Sequence, residues 1–347
     1  MIRVGIAGIG FMGMTHYNAY QSIRGVKVAA LCEKYNQARL AGDWRSIKGN
    51  FGPPGQMMDL SGIERYTELE EMLANPNLDV IDICMPPADH AKWAIAALKA
   101  GKHVFCEKPI ALNPADATRM TDAAKKAGKL LMIGHVLPFY PEYDFAYKAI
   151  SSGKYGKLLG GHFKRIISDP TWMTDFYNPD KTGGPMLDLH VHDAHFIRLV
   201  CGMPKAVQTV GTMRGEVVER FTTQFLFEEP KVVTAASGVI NQQGRPFTHA
   251  FEIYLEKASL FFDYMAIPKP GDVVVPLTLL TDDGKVTLPK LGSGDPTVAF
   301  KNELSEVVRS VRTNTPSALL AGELARDAVI LCQRQTESVR RGKLVKV

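Results

Sequence analysis

A glycine-rich turn set directly behind the first apolar run is the feature that most constrains this chain. Ile2–Ala7 reads as a strand, and Gly8-Ile9-Gly10-Phe11-Met12-Gly13 follows at once and opens a helical stretch. In a strand–turn–helix of this design the first glycine permits the tight turn and the second lets backbone approach a pyrophosphate. The third lets helix pack closely on strand, and the leading N–H groups of the helix then face the phosphates. Six residues alone are a weak signal, because glycine-rich turns are common. Their context is the strong part. Glu33 ends the next β-rich run twenty residues after Gly13. A carboxylate there accepts the two ribose hydroxyls of NAD and repels a 2′-phosphate. Lys34 follows directly and softens that repulsion, so NAD is the expected cofactor and NADP the alternative.

The rest of the N-terminal stretch supports such a turn. Runs at Ile2–Ala7, 26–33, 80–84, 103–106 and 130–134 are mostly continuous apolar, as strands buried on both faces of a parallel sheet are. Helical stretches separate them. Asn113 can cap one, Pro114 takes its first position, Lys125 and Lys126 fill its last turn and Gly128 stops it; the run 88–100, closed by Gly101, reads similarly. The Gly/Pro-rich stretch 49–55 is a loop. Strands alternating with crossover helices predict an α/β domain, a Rossmann doubly wound parallel sheet, over residues 1–135. After about residue 160 the texture changes, with aromatic and β-branched runs at 221–227 and 251–255, the latter alternating apolar with polar, and helical segments at 299–312 and 321–341. Residues 136–347 are therefore expected to form an α+β domain with a largely antiparallel open sheet, for substrate binding and oligomerisation.

Bulk properties exclude several classes. A length of 347 residues favours two domains over one core. The +5 charge is spread along the chain, and its densest basic run, Arg340-Arg341-Gly342-Lys343, reads as a solvated end rather than a nucleic-acid surface. Five cysteines without framework spacing argue against a disulfide scaffold, and Cys32, Cys84 and Cys106 close apolar runs as small buried hydrophobes. No apolar stretch has the length of a membrane span, and the chain opens on a strand without a charged leader. A reduced, cytoplasmic setting is expected, with no nucleic-acid or membrane partner.

Two further segments carry chemistry. Cys106-Glu107-Lys108-Pro109 ends an apolar strand, where Lys108 can donate to a substrate oxygen and stabilise alkoxide character as a hydroxyl is oxidised. Pro109 can fix its aim. Met85-Pro86-Pro87-Ala88-Asp89-His90 follows another strand, at the sheet edge where nucleotides bind. Pro86, His90, Glu107 and Lys108 are thus added to Gly8, Gly10, Phe11, Met12, Gly13, Glu33 and Lys34 as cofactor contacts, although His90 is equally well a plain residue of a first helical turn. Later, Gly183 and Gly184 form a turn, Pro185 starts a helix, and Gly202 with Pro204 ends it. Regular helical spacing would put Asp188, His192 and His195 on one face. His192 can take a hydroxyl proton near neutral pH, and Asp188 can bind a neighbouring hydroxyl or hold His192. Asp188, His192 and His195 could also chelate, but His190 and His192 point to nearly opposite sides, and no metal is assigned.

On these residues the chain resembles the glucose–fructose oxidoreductase/inositol dehydrogenase family, Gfo/Idh/MocA. The shared phrases are Gly8-x-Gly10-x-x-Gly13 with His16, Glu107-Lys108-Pro109, the run from Gly183-Gly184-Pro185 through Asp188 to His192 and Asp193, and the terminal Ser338-x-x-x-Gly342-x-x-Val345. The resemblance implies a Rossmann domain followed by a domain whose open sheet forms the substrate wall and often an oligomer interface. It also implies catalytic roles for Lys108, Asp188 and His192. His195 and Pro138 depart from the family pattern and bear on the substrate, and Trp172 and Tyr177 offer apolar faces for a sugar ring. The expected activity is NAD(P)-dependent hydride transfer at a secondary alcohol or ketone of a sugar, cyclic polyol or related derivative, by a homodimer or homotetramer. The rivals are an NAD-dependent glycosidase or lyase working by transient oxidation, and a non-enzymatic dinucleotide-binding regulator, which would need no proton relay.

Overall fold

The computed structural model describes residues 1–347. The chain forms two compact units. One comprises Met1–Ala111, Ala115–Tyr140 and Ser293–Arg326, the other Leu112–Pro114, Pro141–Gly292 and Asp327–Val347. The first unit is thus discontinuous in sequence, with residues 293–326 returning to it.

In the first unit β1 (Ile2–Ala7), α1 (Phe11–Gln21), β2 (Val26–Cys32), α2 (Gln37–Leu40), β3 (Glu64–Tyr66), α3 (Leu69–Ala74), β4 (Val80–Ile83), α4 (Pro87–Lys99), β5 (His103–Glu107), α5 (Pro114–Ala127) and β6 (Leu131–Gly134) alternate along the chain. The strands make one parallel sheet in the order β3-β2-β1-β4-β5-β6. Reversal of direction at β1 is the topological switch point at which nucleotides bind beyond the carboxyl ends. Central strands are apolar because both faces are covered: all four residues of β4 and all but Arg3 of β1 are buried. Edge strand β3 carries no apolar run, so periodicity did not reveal it.

Helix α8 (Pro296–Thr313) belongs to this unit for a simple reason. Its Leu304, Val307 and Val308 lie in the same apolar core as Met14, Tyr17 and Tyr20 of α1 and Ile2, Val4 and Ile6 of β1. Asp295 caps it by accepting from the Thr297 N–H, Pro296 takes the first position, and Asn314 ends it in the left-handed conformation at φ 49°.

The second unit holds α6 (Pro141–Ser151), β7 (Leu158–Ser168), α7 (Val191–Cys201), β8 (Ala206–Arg214), β9 (Val217–Leu226), β10 (Val232–Ile240), β11 (Phe247–Leu255), β12 (Ala258–Ala266), β13 (Val273–Thr281), β14 (Val286–Thr287) and β15 (Val345–Lys346). Its nine-stranded sheet runs β14-β13-β12-β11-β7-β10-β9-β8-β15, and only β7 and β10 pair in parallel. Along β9 the inward Phe221, Thr223 and Phe225 are buried while Arg220, Thr222 and Gln224 are exposed, which is the alternation of a sheet with one open face. A final helix, α9 (Gly322–Arg341), precedes β15, and no helix is long and apolar enough to cross a membrane.

Because Leu304 is fully buried in the core that α8 shares with α1, Leu304→Ala should destabilise the first unit by about 2–5 kcal/mol. Denaturant unfolding of the variant beside the parent checks this.

Candidate active site

The glycine turn has the packing that its sequence requires. Gly8 adopts φ +97°, and a Cβ there would lie 2.6 Å from the Cys84 carbonyl oxygen, so only glycine lets β1 and β4 deliver their ends this closely. A Cβ on Gly13 would meet the Gly8 carbonyl oxygen, which keeps α1 seated on the turn. Gly10 faces open space, with nothing within 4 Å of an added Cβ. Helix α1 has no side-chain cap and no acidic residue in its first turn. Its leading N–H groups, including those of Phe11 and Met12, are therefore available to an anion. The turn fits the pyrophosphate of a dinucleotide.

Glu33 stands at the end of β2 and is tied to the same turn. Its Oε2 accepts from the Ile9 N–H at 3.0 Å and its Oε1 from the N–H groups of Tyr35 and Asn36 at 3.0 and 3.2 Å. The carboxylate is thereby fixed beside the glycine loop, as a ribose acceptor has to be. Lys34 does not soften its charge: the Lys34 ammonium donates to Glu68 at 2.8 Å. Arg39 instead reaches back, donating from Nη1 to the Ile9 carbonyl at 3.0 Å.

At the carboxyl edge, Pro86 is exposed and stands at the start of α4, while His90 is wholly buried. The two ring nitrogens of His90 lie 2.8 Å from the carbonyl oxygens of Pro109 and Met85. Geometry thus makes His90 a strap between the segments that follow β4 and β5 rather than an edge presented to a ligand. Burial lowers its pKa, against the pull of those carbonyls. Lys108 is half-buried at the end of β5, and its peptide bond to Pro109 is cis. Its backbone N–H donates to Glu107 Oε2 at 3.2 Å.

Beneath this edge lies a group of ionisable side chains that sequence reasoning did not collect. His16 of α1 is enclosed, with Nδ1 3.1 and 3.0 Å from the two carboxylate oxygens of Asp82 and 3.2 Å from Cys84 Sγ. Its Nε2 is 3.1 Å from Glu107 Oε1. Burial is the largest single influence and opposes charge on the ring, but the charge and hydrogen bond of Asp82, with a contribution from Cys84, together raise the His16 pKa well above its usual value. Cys84 contributes less than its proximity suggests, since burial pushes its own thiol up and keeps it neutral. Burial likewise raises Glu303 of α8 well above the carboxylate range, reinforced by Glu107, so that it is held as a neutral acid. One signal was legible: Asp82 interrupts an otherwise apolar parallel strand.

In the second unit the segment carrying Asp188 is not a regular helix. Met186–His190 forms a single π-helical turn that runs into α7 at Val191. The wider turn alters the angular offset between Asp188, which lies in it, and His192 and His195, which both lie in α7. Asp188 and His192 are half-buried, whereas His195 is completely enclosed. His190 points inward, 3.0 Å from Gln335 Nε2, and burial pushes its pKa down to about 4, leaving a neutral acceptor. Asp193 holds Arg165 of β7 in a buried two-pronged ion pair at 2.7 and 3.1 Å, fixing the first turn of α7 on the sheet. Tyr177 is committed to packing, donating to Asp169 at 2.8 Å with the Arg214 guanidinium 3.8 Å above its ring; Trp172 remains 66% exposed.

Two family models match this chain. Residues 2–135 match the oxidoreductase family with an NAD-binding Rossmann fold, and residues 143–261 match the GFO/IDH/MocA C-terminal domain. The chain belongs to the Gfo/Idh/MocA oxidoreductase family. Among the relatives of this family member is a myo-inositol 2-dehydrogenase of Thermotoga maritima, 25% identical, with 100% of this chain and 98% of that protein covered. A 1,5-anhydro-D-fructose reductase of Ensifer adhaerens is 29% identical over 64% of this chain and 67% of its own. A levoglucosan dehydrogenase solved with NADH and levoglucosan shares the fold at a TM-score of 0.79 and 21% identity, covering 100% of this chain and 99% of its own.

The raised pKa of Glu303 has a consequence for stability. A carboxyl whose folded pKa exceeds its unfolded one stabilises the fold fully at low pH and loses that contribution as pH rises through the folded value. Glu303→Gln mimics the neutral acid. It should leave the melting temperature nearly unchanged at pH 5 and raise it by about 2–4 °C at pH 8 if the relief is on the order of 1 kcal/mol, as thermal unfolding at the two pH values will show.

Proposed function

We propose that this Gfo/Idh/MocA member is an NAD-dependent dehydrogenase or reductase acting on a secondary alcohol or ketone of a sugar, a cyclic polyol or a related derivative. The observation that carries the reading is the Glu33 carboxylate fixed by the Ile9 N–H beside an open Gly10, on the sheet whose fifth strand is followed directly by Lys108. Relatives named for inositol and anhydro-sugar chemistry support the substrate class.

Bound NAD supplies the hydride acceptor for oxidation. The residues of the chain do the binding and the proton work. Gly8, Gly10, Phe11, Met12 and Gly13 would cradle the pyrophosphate, Glu33 would take the ribose hydroxyls, and Pro86 and Glu107 would lie toward the nicotinamide. Lys108 donates to the substrate oxygen and stabilises its alkoxide character. His192 takes the hydroxyl proton as the carbon is oxidised, and Asp188 orients a neighbouring hydroxyl or His192 itself. Glu33 repels a 2′-phosphate and Lys34 is engaged by Glu68, so NAD is preferred to NADP. Five unpaired cysteines suit a reducing cytoplasm, and the open face of the nine-stranded sheet suits self-association as a dimer or tetramer.

An absorbance screen with NAD and NADP against inositols, sugars and keto-sugars should find NAD-linked turnover that needs added cofactor. Turnover of a glycoside with no added NAD would favour the lyase rival instead. Lys108→Ala should lower kcat by on the order of a hundredfold with NADH affinity nearly intact. Unchanged turnover removes Lys108 from the mechanism. Glu33→Ser should cost about tenfold or more in kcat/KM for NAD and narrow the preference over NADP; an unaltered ratio of the two cofactors contradicts the assignment of Glu33.

A further inference from the structure

Three interior side chains of the first unit, His16, Asp82 and Glu303, have no part in the reaction as read above, yet all are fully buried. They come from separate elements, α1, β4 and α8: His16 touches both Asp82 and the Glu107 carboxylate of β5, and Glu303 feels the charge of all three. Burying unpaired charge is costly, and four ionisable groups at one place demand a chemical reason.

With both facing carboxyls ionised, their geometry fits one arrangement of protons. Carboxylate oxygens face both nitrogens of His16: Asp82 at 3.0 Å from Nδ1 and Glu107 at 3.1 Å from Nε2. A neutral imidazole would turn a lone pair toward one of those carboxylates, so the ring is an imidazolium shared between them. The Asp82 side is a hydrogen bond, while the Glu107 side is a close charge contact that is not aligned as a straight hydrogen bond. Neither oxygen of Glu303 finds a hydrogen-bond partner, so as a neutral acid it leaves the charge of the ring to the other two. Tyr20, Cys84 and Cys106 beside the cluster are likewise neutral, because burial raises all three. Glu107 is then fixed from both ends, Oε1 against His16 and Oε2 under the Lys108 N–H at 3.2 Å. Gly134 of β6 leaves the space this needs, because a Cβ there would stand 2.9 Å from Glu107 Oε1.

We infer that His16 is a positioning residue for Lys108: held on Asp82, it fixes the Glu107 carboxylate, which in turn fixes the peptide from which the Lys108 side chain departs. The inference rests on the reading of Lys108 as the donor to substrate. Asp82, His16 and Glu107 form a brace reaching from β4 through α1 to the end of β5, and its purpose is the angle at which the lysine leaves the sheet. A displacement of about 1 Å at such a group can cost up to a hundredfold in turnover without touching cofactor affinity.

The test compares His16→Gln, Glu107→Gln, Gly134→Ala, Lys108→Ala and the double variant His16→Gln/Glu107→Gln, with kcat, KM, NADH affinity and melting temperature measured for each. His16→Gln and Gly134→Ala should each lower kcat by about tenfold to a hundredfold, with NADH affinity within about threefold of the parent. Because both substitutions act through one carboxylate, the double variant should lose no more than the worse single one. Nitrogen-15 NMR of the histidine-labelled parent protein should show both ring nitrogens of His16 protonated at neutral pH, a readout independent of whether any variant folds. Full kcat in His16→Gln and Gly134→Ala beside a crippled Lys108→Ala would overturn the brace and spare the dehydrogenase reading. Full kcat in Lys108→Ala would instead remove the reading on which it rests. Additive losses in the double variant, a neutral His16 ring, or stoichiometric zinc held by His16, Asp82 and Cys84 would each overturn the inference.

Discussion

Close backbone approach at the first turn is the constraint from which the first unit follows. A side chain at Gly8 would strike the Cys84 carbonyl, and one at Gly13 would strike the Gly8 carbonyl. With both absent, the ends of β1 and β4 and the start of α1 converge on one small region. That convergence leaves the leading N–H groups of α1 facing outward and the Glu33 carboxylate within reach of the Ile9 N–H. Everything offered to a dinucleotide is therefore main chain or a side chain tied to main chain, and little of it has to reorganise when an anion arrives.

The interior around that turn carries more ionisable groups than a Rossmann core needs for stability alone. Replacing a buried ion pair by apolar residues is often neutral or favourable, so the survival of Asp82, His16, Glu107 and Glu303 in one place argues for a role beyond holding the sheet together. The second unit repeats the theme with the buried pair Arg165–Asp193, which seats α7 on β7 directly beside His192. In both units a residue expected to handle protons adjoins a rigid, buried charge contact. Such support suits groups that must keep one orientation through a catalytic cycle.

Much of the first unit was legible because its signals are local. Apolar runs gave five of its six strands, and Asn113, Pro114 and Gly128 marked α5 through capping rules that depend only on neighbouring residues. The edge strand β3 escaped because three polar residues carry no period. Placement of α8 escaped as well, since its apolar stripe says that it packs but not on which core. The π-turn at Met186–His190 was invisible to a reading based on regular helical spacing, which carried Asp188 on the same helix as His192 and His195. The candidate site divides along the same line. The glycine turn, Glu33 and Lys108 announce themselves by position after a strand, whereas the Asp82–His16–Glu107 brace joins residues up to 91 positions apart, from 16 to 107, and needs coordinates. Lys34 shows the converse: its sequence neighbour suggested Glu33 as its electrostatic partner, yet it pairs with Glu68, 34 residues away.

The central claim is that this protein moves a hydride between a carbinol carbon and NAD. It is tested most directly with a sugar or polyol that turns over, deuterated at the carbon that is oxidised. Deuterium recovered in the reduced nicotinamide, one atom for each ketone formed, is the predicted result. Ketone formed with the label lost to water, or product formed without any reduced nicotinamide, would contradict the account.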